Sequence, residues 1–307
     1  MVYKKCLVLG ANGFVGRSLV KDLIPYFEQV TTFSLDLSKE IQLEGVENII
    51  ADFFDKEALQ KALVDVDVVI HLITTMTPIS SNKAPLQDIE QNLSGSVRLL
   101  ELCCAEGVKK VIYLSSGGTV YGDLSTVERA DETHVTDPSC SYGITKLAFE
   151  KYLNLFKTLY DLDSIVLRVS NPYGPLQSCK NSQGVIASFI DKSVNNAPLQ
   201  VWGDGTAIRD FIYIDDLNSA IIKSVFYNGE KRVFNIGSGA DTSINDVIDC
   251  LRKTSRYKIH VDYLEEGKVG VSRSVLDISL ARRELDWEPM FDLNRGLRNT
   301  VDYIDKA

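Results

Sequence analysis

In the segment SYGITK, Tyr142 and Lys146 lie four residues apart at the start of an apolar-periodic stretch, so in a helix both side chains stand on one face. A free phenol titrates near 10 and is a poor base at neutral pH, but a neighbouring ammonium favours the phenolate. The pair therefore has the chemistry to take a proton from an alcohol. The same spacing is common on helix surfaces, so the pair gains meaning only beside a group that could accept the rest of an oxidation.

Such a group is implied by VLGANGFVGRSLV. Gly10, Gly13 and Gly16 follow an apolar run and open an apolar-periodic helix, the context of a dinucleotide-binding turn. The first glycine permits the tight turn, the second lets backbone approach a pyrophosphate, and the third lets helix pack closely on strand. Asn12, Phe14 and Val15 of the turn and Leu72, at the exit of VDVVIHL, join the expected cofactor-binding set. An acid for the adenosine ribose is expected about 20 residues beyond the glycines. Asp36 lies close to that position, and Ser34 is the alternative if the strand register differs. No Arg follows immediately to hold a 2′-phosphate, which favours NAD over NADP. Asp52 and Phe53, after NIIAD, are placed to bond and cover an adenine, with a core role for Phe53 as the competing reading.

A sheet must position these residues. The runs CLVLG, VTTFSL, NIIAD, VDVVIHL, KKVIYLSS and SIVLRVSNPYG alternate with helix patterns over 15–24, 56–63, 88–106 and 142–160. Most runs lack period-two alternation, as parallel strands covered on both faces do. His71, at an apolar strand end, reads as a packed core residue. The fold class expected is α/β, a doubly wound parallel sheet of Rossmann type, with a smaller interleaved C-terminal substrate-binding lobe. Residues 1–170 form the dinucleotide domain, to which 210–234 return. Residues 171–307, broken by Pro, Gly and Asn, form mainly the lobe.

Composition narrows the partners. The chain has 307 residues, 45% of them hydrophobic, enough for a large core. Its 33 basic against 42 acidic residues give a net charge of −9, which disfavours nucleic acid and anionic membranes and requires a local cationic pocket for any anionic substrate. The six cysteines show no CxxC spacing and only three histidines accompany them, so no metal site is expected. The absence of a signal peptide or long apolar run gives a cytoplasmic expectation.

The sequence resembles the extended short-chain dehydrogenase/reductases, and among them the UDP-glucose 4-epimerase-like sugar-nucleotide enzymes. The resemblance runs nearly end to end, through GANGFVG, DVVIHL, QNLSGSVRLLE, SSGGTVYG, SYGITK, LRVSNPYGP, VWGDGTAIRDFIYIDDL and FNIGSG. It implies Tyr142 as acid/base, with Lys146 holding the phenolate and the nicotinamide ribose. It also implies Asn92 and Ser115 at the cofactor, and Asn171 and Arg209 at a UDP-sugar diphosphate, where Arg273 is a candidate substitute for a family arginine that this chain lacks. Without it, Arg209 beside Asp210 reads as a surface ion pair. The reaction implied is NAD-dependent C4 epimerisation of a UDP-hexose, plain or N-acetylated; the alternatives are a 4-ketosugar reductase and a non-catalytic dinucleotide sensor.

The loop YLSSGGTVYG departs from the pattern. Relatives carry a catalytic Ser or Thr where this chain has Gly117; Ser116, Ser115 or Thr119 could supply the substrate-binding hydroxyl instead, with Ser116 preferred, or Tyr142 acts without one. Gly118 and Thr119 stand where the related dehydratases carry an Asp–Glu pair, which disfavours elimination. Gly267 and Gly270 replace an Arg and Asp expected at the diphosphate, with Lys268 and Arg273 nearby. Ser274 is small at a variable position, leaving room for an N-acetyl group. Residues 74–82 form a polar loop with no assigned role. The resemblance also implies a homodimer through the helices bearing Ile89, Leu93, Val97, Leu100, Phe149, Leu153 and Phe156, with burial in the monomer as the competing reading.

Overall fold

The computed structural model describes residues 3–38, 41–177, 184–265 and 271–306. Six strands, β1 (Lys5–Leu9), β2 (Gln29–Ser34), β3 (Val46–Ile50), β4 (Val68–His71), β5 (Lys110–Ser116) and β6 (Asp163–Val169), are joined by Val233–Ile236 in one seven-stranded sheet. Its spatial order is β3, β2, β1, β4, β5, β6 and then Val233–Ile236, with every pair parallel. This is the doubly wound order, and it reverses between β1 and β4, opening a crevice at their carboxyl ends.

The missing alternation in the strand sequences has its explanation in two cores. Cys6, Val8, Val68, Ile70, Ile112, Ile165 and Leu167 face one core, while the intervening Leu7, Leu9, Val69, Val111 and Val166 face the other. Both faces are dry, so consecutive apolar residues are required. The helices that cover them include α1 (Phe14–Leu23), α2 (Lys56–Ala62), α3 (Pro78–Lys83), α4 (Pro85–Asp88), α5 (Gly95–Glu106) and α6 (Ser141–Tyr160). The single helix expected over 88–106 is interrupted: α4 ends at Asp88, Ile89–Ser94 forms a π-helical turn carrying Asn92, and α5 begins at Gly95. A Cβ on Gly95 would lie 3.0 Å from the Phe53 ring, so the helix passes that aromatic at close range.

Beyond β6 the chain shuttles between sheet and lobe. Asn171–Tyr173 pairs with Phe211–Tyr213, and Ile208–Arg209 pairs with both Thr242–Ser243 and Arg273–Ser274. The helix Ile214–Phe226 packs on α1, and Val233–Ile236 closes onto β6. Gly267, Lys268 and Gly270 lie outside the described residues.

A buried ion pair fastens α6 to the sheet. Arg168 of β6 donates from Nη2 to Glu150 Oε2 of α6 at 2.7 Å, from Nε to both Glu150 oxygens at 3.2 Å, and from Nη1 to the Tyr121 hydroxyl at 3.0 Å. Both partners are nearly inaccessible, so removing one strands the other's charge. Arg168→Met is expected to cost about 3–5 kcal/mol in urea unfolding, and Arg168→Met with Glu150→Leu to recover most of it; equal losses in the two variants would refute this account.

Candidate active site

The crevice between β1 and β4 is lined first by the glycine turn. Gly10 ends β1 at φ +80°, in the left-handed region, and its N–H donates to the Phe33 carbonyl of β2 at 2.9 Å. A Cβ on Gly16 would sit 2.4 Å from the Ala11 carbonyl oxygen, so only glycine lets α1 pack this close to the turn. Gly13 caps α1 without a side-chain hydrogen bond, leaving Phe14, Val15 and Gly16 as a first turn whose amides are available to an anion.

The two candidates at the end of β2 separate clearly. Ser34 is buried and its hydroxyl accepts from the Asn12 N–H at 3.0 Å, holding the turn. Asp36 is exposed two residues later, and its carboxylate accepts from the Asn12 side chain. Asp36 is therefore the acid presented at the crevice. Asp52 is exposed after β3 and organises its own turn, accepting from the Phe54 N–H at 2.9 Å. Phe53 is buried and its ring stacks on His71 with centroids 5.6 Å apart, a core position beside the exposed Asp52. The half-buried Leu72 continues β4, its N–H donating to the Leu9 carbonyl at 3.0 Å.

Tyr142 and Lys146 lie on the first turns of α6, as their spacing requires. The Lys146 ammonium donates to the Leu114 carbonyl of β5 at 2.8 Å and sits 4.8 Å from the centre of the Tyr113 ring and 5.6 Å from that of Tyr142. Burial pulls the Lys146 ammonium down to about 8, against the opposing pull of Glu150 and Asp88. The expected depression of the phenol is not found in the protein alone. Burial pushes Tyr142 up to about 12, with the neighbouring Cys140 and Asp88 adding to the rise and a hydrogen bond with the Thr74 side chain opposing it. The ammonium is spent on a carbonyl and an aromatic wall and does not dominate the phenol.

The serine-bearing loop is resolved hydroxyl by hydroxyl. Ser115 donates to Glu150 and is buried with it, so its hydroxyl belongs to the ion-pair network. Ser116, half-buried at the last position of β5, uses its carbonyl to accept from Thr119 and Val120. Gly117 has no room for the expected Ser or Thr: a Cβ there would lie 2.5 Å from Leu276 Cδ1 and 3.1 Å from the Arg168 carbonyl oxygen. Thr119 packs against the first turn of α6 at Gly143, and its hydroxyl is buried without a partner.

Beyond the carboxyl end of β6 lies a cavity of about 270 Å³ lined by Asn171, Tyr173, Ile186, Arg209, Phe211 and Ile244 among others. Asn171 donates from Nδ2 to the Asp210 carbonyl at 2.8 Å. Arg209 is not paired with Asp210, whose buried carboxylate accepts instead from Ser238 and Gly239. Arg209 bonds the Ile208 carbonyl at 2.8 Å, has no carboxylate within ion-pair distance among the described residues, and is held below the usual guanidinium range by burial. Arg273 is committed elsewhere, to Asp241 at 2.7 Å and the Glu128 carbonyl at 2.8 Å. Ser274 is buried and pairs in register with Arg209. Among the described residues no cluster of His, Cys, Asp or Glu could hold a metal, and no helix is long and apolar enough to cross a membrane.

Sequence reasoning passed over Ser81, Asn82 and Asp88. Ser81 Oγ accepts from the Tyr142 N–H at 3.0 Å, Asn82 Oδ1 from the Ser141 N–H at 2.9 Å, and Asp88 from the Ser141 hydroxyl at 2.7 Å. These caps come from α3 and α4, so no local capping pattern around residue 140 could reveal them.

His71 is a core residue, its Nε2 2.8 Å from Ser96 Oγ, and burial pulls its imidazole down to about 3. Its folded value lies below the unfolded one near 6.5, so the unfolded chain binds the extra proton between these limits. Stability is expected to fall as pH drops from 6.5 toward 3, and His71→Phe to flatten that part of a denaturation-versus-pH curve; an unchanged slope would show that other groups carry it.

A family model described as the NAD dependent epimerase/dehydratase family matches residues 6–237. The chain is 32% identical over 301 residues to a putative UDP-glucose 4-epimerase of Methanocaldococcus jannaschii, covering 97% of each. It is 31% identical over 309 residues to a dTDP-4-dehydro-6-deoxyglucose reductase of Escherichia coli, covering 97% of this chain and 96% of that one. The crystal structure of the Thermotoga maritima UDP-glucose 4-epimerase with UDP-glucose is similar with a TM-score of 0.93 and 33% identity, covering 98% of this chain and 99% of that one. With a family match spanning most of the doubly wound sheet, and relatives aligned over nearly its whole length, the chain belongs to the NAD-dependent epimerase/dehydratase family of extended short-chain dehydrogenase/reductases.

Proposed function

We propose that this protein interconverts UDP-hexoses epimeric at C4, with NAD as a tightly held cofactor. The reading is supported by two half-sites at the carboxyl ends of the adjacent strands β5 and β6. The Tyr142–Lys146 pair stands at the sheet's carboxyl edge. The guanidinium of Arg209, beside Asn171 in the cavity, has no carboxylate partner among the described residues. A guanidinium desolvated in this way suits a diphosphate.

The turn fits the cofactor. Gly10, Asn12, Gly13, Phe14, Val15 and Gly16 would hold the pyrophosphate at the amides of α1, Asp36 the adenosine ribose, Asp52 the adenine, and Leu72 and Asn92 the nicotinamide half. When bound, the nicotinamide supplies a reversible hydride acceptor and a positive charge. Lys146 would bond its ribose. Tyr142 takes the proton of the sugar C4 hydroxyl at its phenolic oxygen and later returns it. Because burial, with Cys140 and Asp88 adding to it, holds that phenol up, Tyr142 becomes a base only when further positive charge enters the crevice. Ser116 is the hydroxyl we assign to the sugar, since Ser115 is bonded to Glu150 and Gly117 has no side chain. The small Ser274 beside Arg209 is consistent with N-acetylated sugars. We further propose a homodimer. Leu100, Phe149, Leu153 and Phe156 are buried in the monomer, while Leu86, Ile89, Ile144, Leu155 and Leu159 leave an exposed apolar stripe along the same helices.

The test is incubation of the purified protein with UDP-glucose and UDP-N-acetylglucosamine without added cofactor, followed by sugar analysis. We expect C4 epimers from at least one, and a loss of about 100-fold or more in Tyr142→Phe. Turnover that appears only with added reduced nicotinamide would instead identify a reductase, and an active Tyr142→Phe would refute the acid–base assignment.

The Gly117–Leu276 contact yields a second expectation. Gly117→Ser alone should destabilise by about 1–3 kcal/mol through overpacking without raising kcat. Gly117→Ser with Leu276→Ala should turn over faster than Leu276→Ala alone; equal rates would show that a hydroxyl at 117 has no use here.

A further inference from the structure

Asp88 is fully buried, yet it has no cation in direct contact among the described residues. Its carboxylate is satisfied by neutral donors. Oδ1 accepts from Asn92 Nδ2 at 2.8 Å, and Oδ2 accepts from the Ser141 hydroxyl at 2.7 Å and the Thr145 hydroxyl at 3.2 Å. Ser141 and Thr145 are i and i+4 on α6, the stripe immediately adjoining that of Tyr142 and Lys146. Gripping the first stripe fixes the helix's rotation and so aims the second.

The other end of the network returns to the same tyrosine. Asn92 Oδ1 accepts from the Thr75 N–H at 2.9 Å and the Thr75 hydroxyl at 3.3 Å, pinning the loop that leaves β4. That loop carries Thr74, whose side chain opposes the rise of the Tyr142 phenol. The path from Thr75 through Asn92 and Asp88 to Ser141 and Thr145 thus ties the loop after β4 to the first turn of α6. A buried carboxylate held by neutral groups costs desolvation that an amide of the same shape would not, so mere packing does not account for it.

We infer that Asp88 is a positioning residue for the acid–base pair: its carboxylate locks the first turn of α6 to the loop after β4 and so sets where the Tyr142 phenol and the Lys146 ammonium point. The charged and titratable groups that feel it are Tyr142 and Lys146 on α6 and Tyr113 on β5. Glu150, one turn beyond Lys146, acts on Lys146 and Tyr113 from the far side.

This inference rests on the proposed acid–base role of Tyr142, and Tyr142→Phe is measured alongside to separate the two. In Asp88→Asn we expect kcat to fall about 100-fold, the scale of a displaced reacting group, with KM held within about two-fold. The acidic limb of the kcat/KM profile should move to lower pH, because a negative charge that disfavours the phenolate has gone. Ser141→Ala keeps the charge but removes one tether, so kcat should fall about five-fold with the pH profile unmoved. If Tyr142→Phe abolishes turnover while Asp88→Asn leaves kcat and the pH profile unchanged, the inference is wrong and the assignment of Tyr142 stands. If Asp88→Asn does not yield folded protein, an unchanged kcat in Ser141→Ala overturns it; activity surviving in Tyr142→Phe would overturn the acid–base reading itself.

Discussion

The site depends on how α6 is phased against β5 and β6. Tyr142, Lys146 and Glu150 follow at i, i+4 and i+8 on one face of this helix. Glu150 is clamped by Arg168 of β6 and by the Ser115 hydroxyl of β5, and Lys146 by the Leu114 carbonyl. Each contact is buried and directional, so a rotation of the helix by a fraction of a turn would strand a charge in a dry core. The residue at the N-terminal end of this stripe is Tyr142, with its phenol.

Electrostatics and geometry then divide the work. The surroundings of Tyr142 are dry and carry the Asp88 carboxylate, which keeps the phenol protonated, and the same burial brings the Lys146 ammonium down to about 8. Such an environment makes proton transfer conditional on positive charge arriving at the crevice, because burial weakens the screening of both groups.

The lobe is tied to this arrangement through Asp210. Its buried carboxylate accepts from the Ser238 N–H at 2.7 Å, from Gly239 at 3.2 Å and from the Leu276 N–H at 3.4 Å. Leu276 in turn presses on Gly117, and the strand bearing Arg209 runs directly into Asp210. The residues facing the cavity and the loop facing Tyr142 thereby share one buried anchor, so the two sides of the crevice are placed by common contacts.

What the sequence by itself determined was whatever lies within a few residues of its own signal. The glycine turn, the strands without alternation, and the Tyr142–Lys146 stripe are read from spacing, because a helix or strand imposes its period locally. Tertiary structure alone decided which chemically similar groups are free to act. Ser115 and Ser116 are adjacent and look equivalent, but one is consumed by Glu150. Phe53 reads as well for an adenine as for a core, and only the fold brings His71 against its ring. Asp88 gives no local sign, since its partners Ser141 and Thr145 lie 53 and 57 residues away. A side chain's availability is set by the partners that burial brings to it, and those partners come from parts of the chain that no local period connects.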